Sequence, residues 1–378
     1  MKKLYTVLAV ILLASMVLTA CGSPATPAVT EAPVVTTAPD TAVPPTVAPT
    51  AAPKFKVGEV TDLGGVDDKS FNASGWQGIQ DAISQLSVDG KYLESKQQSD
   101  YQKNIQQFLD EKTDLIVTVG FLLGVDTATA AKANPNTKFA IVDYGYPDCY
   151  PGAVEGKDCG SSAEIANVRG LNFQTDQAAF LAGYAAAATT KTGTVGTFGG
   201  IKLPTVTIFM KGFQAGIQYY NTQKKANVKL LGWDTAKDDG LFTGNFDSTD
   251  DGKKFATSLM QEGADIIMPV AGPVGLGSAA VCQQTKKCLI VGVDKDWSVS
   301  AAEYKDVILT SVLKKINVAV FNTVKDSMNG KFTGGNIVYT LADGGVDIAP
   351  VTGASADLTA ELAQIKADII SGKIKVGQ

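Results

Sequence analysis

The feature that most constrains this fold is a repeated alternation of short apolar runs and helix-length segments through residues 54–378. The runs lie at 114–120, 139–145, 193–200, 228–234, 264–271 and 289–294. They lack the apolar–polar alternation of a half-exposed strand, so they read as strands buried on both faces. A parallel sheet covered by helices on each side requires such strands. The pattern predicts an α/β fold, and a body of about 325 residues suits two lobes better than one core.

Polar residues and glycines stand at or near the ends of these runs, as Asp143 and Asp294 do. In open parallel sheets, ligands bind at the edge formed by the carboxyl ends of the strands. The stretch 57–78, VGEVTDLGGVDDKSFNASGWQG, adds a strand, a glycine-rich turn and the start of a helix. Phe71 and Asn72 in this stretch suit a flat, polar ligand. The alternative is purely structural, with Ser70 or Asn72 capping the helix and Phe71 in the core.

The first 20 residues have the pattern of a targeting signal. Lys2 and Lys3 precede an apolar run that is short for a membrane-spanning helix, which is typical of a secretory signal peptide. Small residues lead up to Cys21, in the order of the lipobox of bacterial lipoproteins. We therefore expect Cys21 to be lipidated and to become the mature N-terminus on the extracytoplasmic face of the membrane. The alternative is a secreted protein with an unmodified cysteine.

Residues 21–53 read as a tether. The segment is built mainly from Pro, Thr, Ala and Val and holds 8 of the 15 prolines of the chain. A segment of this composition buries no core and stays extended. It is predicted to be a stalk between the lipidated Cys21 and the folded body.

Composition excludes several classes of function. The chain has no histidine, which rules out histidine-based triads and most zinc enzymes. Its net charge of −5 disfavours binding to nucleic acid or anionic lipid. We expect neither a metal nor a cofactor.

Four cysteines besides Cys21 form two local pairs, Cys149 with Cys159 and Cys282 with Cys288. Outside the cytoplasm, pairs that close short loops favour disulfides, so Cys149–Cys159 and Cys282–Cys288 are predicted. Metal binding is the alternative, but these spacings differ from those of zinc clusters.

Several motifs, in order, resemble the basic membrane protein family, which comprises bacterial substrate-binding lipoproteins of ABC importers. The opening motif is VTDLGGVDDKSFNASGWQG at 60–78. The others are TVGF at 118–121, FAIVD at 139–143, GLNF at 170–173, FLAGY at 180–184, FMKGFQAG at 209–216, GAD at 263–265, VGVD at 291–294 and TSVLK at 310–314. Together they span nearly everything after the stalk. The chain is identified on these motifs as a member of that family.

The resemblance implies a type I periplasmic-binding-protein fold, in which two Rossmann-like lobes with parallel sheets are joined by a three-segment hinge. The first lobe would hold residues 54–173 and 298–334, and the second 174–297 and 335–378. The chain would cross between the lobes near residues 172, 297 and 335.

The resemblance also implies a nucleoside site between the lobes. Phe71 would stack on one face of the base, with Phe209 and Phe246 as candidates for the opposite wall. Asp294 would hold the ribose diol with Lys314 as its cationic partner. Asn72 would bind the base or the sugar. Asp143 would accept a hydrogen bond from the edge of the base.

These inferences predict a monomeric, lipid-anchored receptor that binds a nucleoside, expected to be a purine nucleoside, and delivers it to an ABC permease without chemical reaction. Three alternatives stay open: a receptor for a sugar or another small metabolite, a sensor that presents its ligand to a membrane kinase, and an enzyme such as a nucleoside hydrolase. The acidic pair Asp67–Asp68 is the feature that would suit metal chemistry in such an enzyme.

Overall fold

The computed structural model describes residues 54–146 and 165–377. The predicted signal peptide, Cys21 and the stalk lie outside the described residues, as do Cys149 and Cys159. Within the described ranges, no helix combines the length and the apolar character that a membrane crossing needs.

Strands and helices alternate along the chain. The strands are β1 (Lys56–Thr61), β2 (Asp89–Leu93), β3 (Leu115–Val119), β4 (Lys138–Val142), β5 (Val168–Phe173), β6 (Thr194–Gly199), β7 (Lys229–Leu231), β8 (Trp233–Asp234), β9 (Asp239–Gly240), β10 (Ile266–Val270), β11 (Leu289–Asp294), β12 (Ile308–Lys314), β13 (Gly335–Tyr339) and β14 (Val346–Ile348). The helices are α1 (Phe71–Leu86), α2 (Tyr101–Asp110), α3 (Gly124–Ala133), α4 (Thr175–Thr189), α5 (Pro204–Lys224), α6 (Thr249–Gln261), α7 (Pro273–Thr285), α8 (Trp297–Ser300), α9 (Ile316–Met328) and α10 (Ala356–Ile370). Short 3₁₀ helices cover Gln98–Asp100, Phe121–Leu123 and Ala302–Val307.

Two six-stranded sheets organise these elements. The first has the order β13-β5-β4-β3-β1-β2, and the second has the order β14-β12-β11-β10-β6-β7. All neighbours pair in parallel except β14, which runs antiparallel to β12 at one edge. The inner strands are almost entirely buried, as the continuous apolar runs predict. A small antiparallel pair, β8 with β9, forms a separate two-stranded sheet.

The small residues of α4 allow it to lie directly against α5. A Cβ added to Gly183 would come within 2.1 Å of the carbonyl oxygen of Phe213, and one added to Gly216 within 2.0 Å of that of Phe180. Glycine is therefore required at both positions for the backbones to approach this closely. The pair covers the second sheet and closes the core of that lobe.

The chain passes between the sheets at three places, and two of them differ from the prediction. β12 belongs to the second sheet and β13 to the first, so the passages follow β5, β12 and β13. The assignment of 298–334 to the first lobe is therefore wrong as far as Lys314, and that of 335–378 to the second lobe is wrong for β13. The physical reason is strand pairing: β12 is buried on both faces between β11 and β14, and β13 extends the first sheet beside β5.

Within the returning segment, α9 packs on the first lobe. It lies against α1 so closely that a Cβ on Gly78 would come within 2.5 Å of the carbonyl oxygen of Asn317. The segment 337–348 crosses between the lobes, because β13 and β14 lie in different sheets.

Candidate functional site

A cleft lies where the carboxyl ends of the two sheets face each other. It holds about 620 Å³ of empty space, counted out to its opening to solvent. The first sheet contributes residues that directly follow its strands, Asp62, Gly120 and Asp143, and the second contributes Asp294 and Lys314. The cleft is therefore built from the polar strand ends that the sequence pattern places at this edge.

The structure brings every predicted site residue to this one cleft. Its walls include Phe71, Asn72, Asp143, Phe209, Phe246, Asp294 and Lys314. These residues come from five separate stretches of chain before β12 and from the end of β12 itself, so only the fold places them together.

Aromatic rings enter the cleft from both lobes. Phe71 is the first residue of α1 in the first lobe, whereas Phe209 lies in α5 of the second lobe and Phe246 in the loop before α6. The Phe246 ring lies over Gly200, where an added Cβ would come within 2.3 Å of it. Phe121, which the sequence reasoning did not select, adds a further ring from the first lobe. A flat ligand in this cleft would meet apolar π surfaces on both sides.

Asp68 organises the start of α1. Its carboxylate accepts hydrogen bonds from the backbone N–H groups of Ser70 (2.9 Å), Asn72 (2.7 Å) and Ala73 (2.9 Å). These are donors that a helix N-terminus leaves unpaired, so Asp68 performs the capping. The alternative of Ser70 or Asn72 as the capping side chain does not hold, since neither makes that bond. Asp67 points to solvent, and the described residues contain no cluster of acids, histidines or cysteines suited to a metal ion.

The amide of Asn72 is engaged inside the protein. Its oxygen accepts from the backbone N–H of Asp62 (3.1 Å), and its nitrogen donates to Asp68 (3.1 Å) and to the carbonyl oxygen of Leu63 (3.3 Å). Asn72 lines the cleft, but its hydrogen bonds fix the turn after β1 to the start of α1. This arrangement gives Asn72 a role in holding Asp62 and Phe71 in place.

Lys314 pairs directly with Asp143 across the two lobes. The ammonium and the carboxylate form an ion pair in which both side chains are almost fully buried. The expected direct partner was Asp294, and the structure corrects this, because the last residue of β12 reaches across to the end of β4. The Lys314 ammonium also lies 5.0 Å from the centre of the Phe71 ring, 5.2 Å from that of Phe173 and 5.7 Å from that of Phe209. Aromatic rings at this distance stabilise a cation.

Asp294 has a different set of neighbours. It accepts a hydrogen bond from the hydroxyl of Ser70 at 2.6 Å, and Ser70 belongs to the opposite lobe. Burial raises the pKa of Asp294 to about 6, while the nearby Lys314 charge and the Ser70 hydrogen bond act against that rise. Asp294 is thus an acceptor whose charge is only partly compensated inside the protein.

Asp62 is a site residue that the sequence reasoning missed. It lines the cleft, accepts from the Tyr101 hydroxyl and from the backbone N–H of Leu63 at 2.7 Å, and is almost fully buried. Burial raises the pKa of Asp62 to about 6. Its position directly after β1, equivalent to that of Asp143 after β4, was a signal available in the sequence.

Four carboxyl groups and one ammonium therefore line the cleft: Asp62, Asp68, Asp143, Asp294 and Lys314. Such a set offers mainly acceptors to N–H and O–H groups of a ligand. With aromatic walls, it suits a neutral, flat molecule rich in donors.

A disulfide joins Cys282 near the end of α7 to Cys288 just before β11, with the Cα atoms 4.9 Å apart. It lies away from the cleft and ties a helix to the next strand of the second sheet. The Cys149–Cys159 pair lies outside the described residues and stays a prediction.

Comparisons with known proteins match this chain to one family of substrate-binding proteins. Residues 55–378 match the family described as ABC transporter substrate-binding protein PnrA-like. The chain is 31% identical to the ABC transporter nucleoside-binding protein BmpA of Lactococcus lactis subsp. cremoris, over 85% of this chain and 89% of that protein. It is 30% identical to basic membrane protein A of Borreliella burgdorferi, over 85% of this chain and 87% of that protein.

Among solved structures, a solute-binding protein of an ABC transporter system from Aeropyrum pernix K1 superposes with a TM-score of 0.72. The two chains are 24% identical, and the match covers 85% of this chain and 92% of the other. This likeness confirms the predicted type I periplasmic-binding-protein fold.

Proposed function

The chain belongs to the basic membrane protein family of PnrA-like substrate-binding proteins of ABC transporters, and from that premise we propose that its cleft binds a purine nucleoside for delivery to a membrane permease. The observation that carries this proposal is one cleft that combines aromatic rings from both lobes with a buried acid and a buried ammonium at the strand ends. The name of the Lactococcus relative, a nucleoside-binding protein, supports the same ligand class.

The base would lie against Phe71, with Phe209 or Phe246 on its other face. Stacking of one base on one aromatic ring contributes about 1–3 kcal/mol, so two rings account for much of a micromolar affinity, about 8 kcal/mol. Asp62 follows β1 and Asp143 follows β4, two strands of the first sheet with β3 between them, and both would accept from the N–H groups along the edge of the base. A purine offers such donors together with a broad π surface.

The ribose would lie against Asp294 and Lys314. A carboxylate accepts two hydrogen bonds from a cis-diol, and an ammonium donates to sugar oxygens. A buried acceptor that loses its partner costs free energy, so a deoxyribose would bind less tightly than a ribose. This arrangement gives the acid and the amine a direct role in ligand selection.

Closure of the lobes would complete the site and present a shape that a permease recognises. No reaction is part of this proposal: the cleft binds and releases the ligand unchanged. The lipidated Cys21 and the stalk would keep the receptor at the extracytoplasmic face of the membrane, where it acts as a monomer.

Mass spectrometry of whatever co-purifies with the protein tests the ligand class first. Calorimetry against guanosine, adenosine, inosine, uridine and ribose then measures the preference. Tighter binding of purine nucleosides than of uridine and ribose supports the proposal, and ribose binding as tight as that of guanosine would refute it. Incubation with inosine should release no free base, whereas release would identify an enzyme.

A further inference from the structure

Ser70 makes a contact between the lobes that ligand binding alone does not explain. It belongs to the first lobe, at the start of α1, and its hydroxyl oxygen lies 2.6 Å from Oδ2 of Asp294 in the second lobe. The same oxygen lies 3.2 Å from the carbonyl oxygen of Val293. A hydroxyl has one proton to donate, and the shorter distance directs it to the charged acceptor.

Ser70 contacts Asp294 from the protein interior and does not line the cleft. Its side chain is fully buried and lies outside the set of residues that line the cleft, whereas Asp294 is among them. The hydroxyl therefore occupies one carboxylate oxygen from the protein side and leaves the other for a ligand. A hydrogen bond from the protein fixes the direction in which the carboxylate faces.

The contact depends on the relative position of the two lobes. The backbone of Ser70 is held to the first lobe by Asp68, and Asp294 is the last residue of β11 in the second sheet. Lys69, next to Ser70, pairs with Glu303 across the same junction, but both side chains are about half-exposed, and a solvent-exposed pair contributes little. The buried Ser70–Asp294 contact is thus the stronger of the two at this junction.

We infer that Ser70 is a positioning residue for ligand binding: from one lobe it aligns the ligand-binding carboxylate of the other, so that Asp294 faces the cleft ready for a diol. The inference deepens the proposed function and rests on it for the identity of the ligand. The hydrogen bond also stabilises the ionised form of Asp294, because it opposes the rise in pKa that burial causes. Loss of Ser70 therefore affects both the direction and the charge of the acceptor.

The test compares Ser70→Ala with wild type and with Ser74→Ala. Ser74 is the matched control, since it is a buried serine one turn further along α1 and lies outside the cleft lining. Calorimetry measures the affinity for guanosine and for 2′-deoxyguanosine from about pH 5 to 8. A hydrogen bond to a charged group is stronger than one between neutral groups, so S70A should lose about tenfold or more in guanosine affinity.

Two further readouts separate positioning from a general loss of structure. The preference for guanosine over 2′-deoxyguanosine should shrink in S70A, and the pH midpoint of guanosine binding should move upward. Ser70→Thr retains the hydroxyl and should restore most of the affinity and the midpoint. If S70A is unstable, Ser70→Cys retains the side-chain size with a weaker donor, and the same changes are expected.

Guanosine affinity, sugar preference and midpoint in S70A equal to those of S74A would overturn the inference. If the wild type binds no nucleoside, the proposed function fails, and the inference is then tested without ligand. In that case, ¹³C NMR titration of the Asp294 carboxyl group should give a higher midpoint in S70A than in the wild type. An unchanged midpoint would overturn it.

Discussion

Asp143 and Asp294 occupy equivalent places in the two lobes and have different direct partners. Each stands at the carboxyl end of a buried parallel strand, each has a positive φ, 67° and 65°, and each is almost fully buried. A positive φ is uncommon outside glycine but is tolerated by aspartate. Asp143 forms a buried ion pair with Lys314, whereas Asp294 is held by the neutral hydroxyl of Ser70.

The difference shows how one architecture produces two kinds of acceptor. Burial raises the pKa of Asp143, and the direct ion pair with Lys314 opposes that rise, so the contribution of Asp143 is partly structural. The charge of Asp294 is compensated only in part, so a ligand that donates to it gains more. We therefore assign ligand selection mainly to Asp294 and the coupling of the lobes at the hinge mainly to Asp143 with Lys314.

The largest expected effect comes from Lys314→Met, which removes the ammonium on which both acids depend. Asp143 would be left as an unpaired buried charge, which costs about 3–5 kcal/mol of stability. Guanosine binding should also fall below detection. Thermal unfolding and calorimetry measure the two effects, with Lys315→Met as the control because Lys315 lies outside the cleft lining. An equal effect of both substitutions would contradict the assigned role of Lys314.

The next largest effect is on the stability of the ligand-free protein, where substitutions of Asp143 and Asp294 should act in opposite directions. Asp143→Asn leaves Lys314 without its partner and should destabilise the fold by about 3–5 kcal/mol. Asp294→Asn should instead stabilise it, on the order of 1–3 kcal/mol at about pH 8. Chemical denaturation of both variants checks the opposite signs, and effects of the same sign and size would remove the distinction between the two acids.

The sign for Asp294 follows from its pKa. Burial raises the folded-state pKa of Asp294 from 3.8 to about 6, so the folded protein binds the proton more tightly than the unfolded chain. The free energy of unfolding then decreases as the pH rises from 3.8 to about 6. Above this range the ionised Asp294 carboxylate destabilises the folded protein. The gain from D294N should therefore be large at about pH 8 and should nearly vanish at about pH 4.

Sugar selection should depend on Asp294 more than on Asp143. We expect Asp294→Asn to remove most of the preference for guanosine over 2′-deoxyguanosine, a change of about tenfold to a hundredfold. Asp143→Asn should weaken both ligands by similar factors. Calorimetry with the two nucleosides checks this, and a loss of sugar preference confined to D143N would reverse the two roles.

Guanosine affinity should fall in acid, because protonation removes the acceptor on Asp294. Below about pH 6 the expected decline approaches tenfold per pH unit for one titrating group. Asp62 has a pKa raised to about the same value and faces the same cleft beside Asp143, Asp68 and Lys314, so it adds to the decline. In D294N the slope should become shallower, and an unchanged slope would assign the dependence to Asp62.

The smallest expected effect concerns Glu59, a buried acid outside the cleft with which the two cleft acids can be compared. It is fully buried in β1, neither of its oxygens has a hydrogen-bond partner among the described residues, and burial raises its pKa well above the usual range. Because that raised pKa makes stability fall with rising pH, Glu59→Gln should stabilise the protein by about 1 kcal/mol at about pH 8 and less in acid. Nucleoside affinity should not change. Exposed Glu262→Gln is the control for thermal unfolding, and a loss of guanosine binding in E59Q would show that Glu59 acts on the site.

Much of this architecture could be predicted from local sequence. Apolar runs without alternation gave the buried strands, and the polar residue after each run marked the edge where the cleft lies. Phe71, Asp143, Asp294 and Lys314 could be selected because each stands at such a strand end or helix start in a family motif.

What could not be predicted depends on pairing across space. The sequence of β12 shows that it is buried but not which sheet it joins, so the lobe boundaries after residue 297 were wrong. The side chain of Lys314 extends across the cleft and pairs with Asp143 rather than with Asp294. The spacing of these residues in the sequence does not predict this choice of partner. Ser70 and Asn72 look alike as candidate caps, yet Asp68 performs the capping and frees Ser70 for Asp294.

A crystal structure of the protein grown with guanosine is the most direct test of the central claim, that a nucleoside lies between the lobes with its sugar on Asp294. We predict the base stacked on Phe71 and the ribose hydroxyls within hydrogen-bond distance of the Asp294 carboxylate. Guanosine bound with its ribose directed away from Asp294, or bound outside the cleft, would contradict the account.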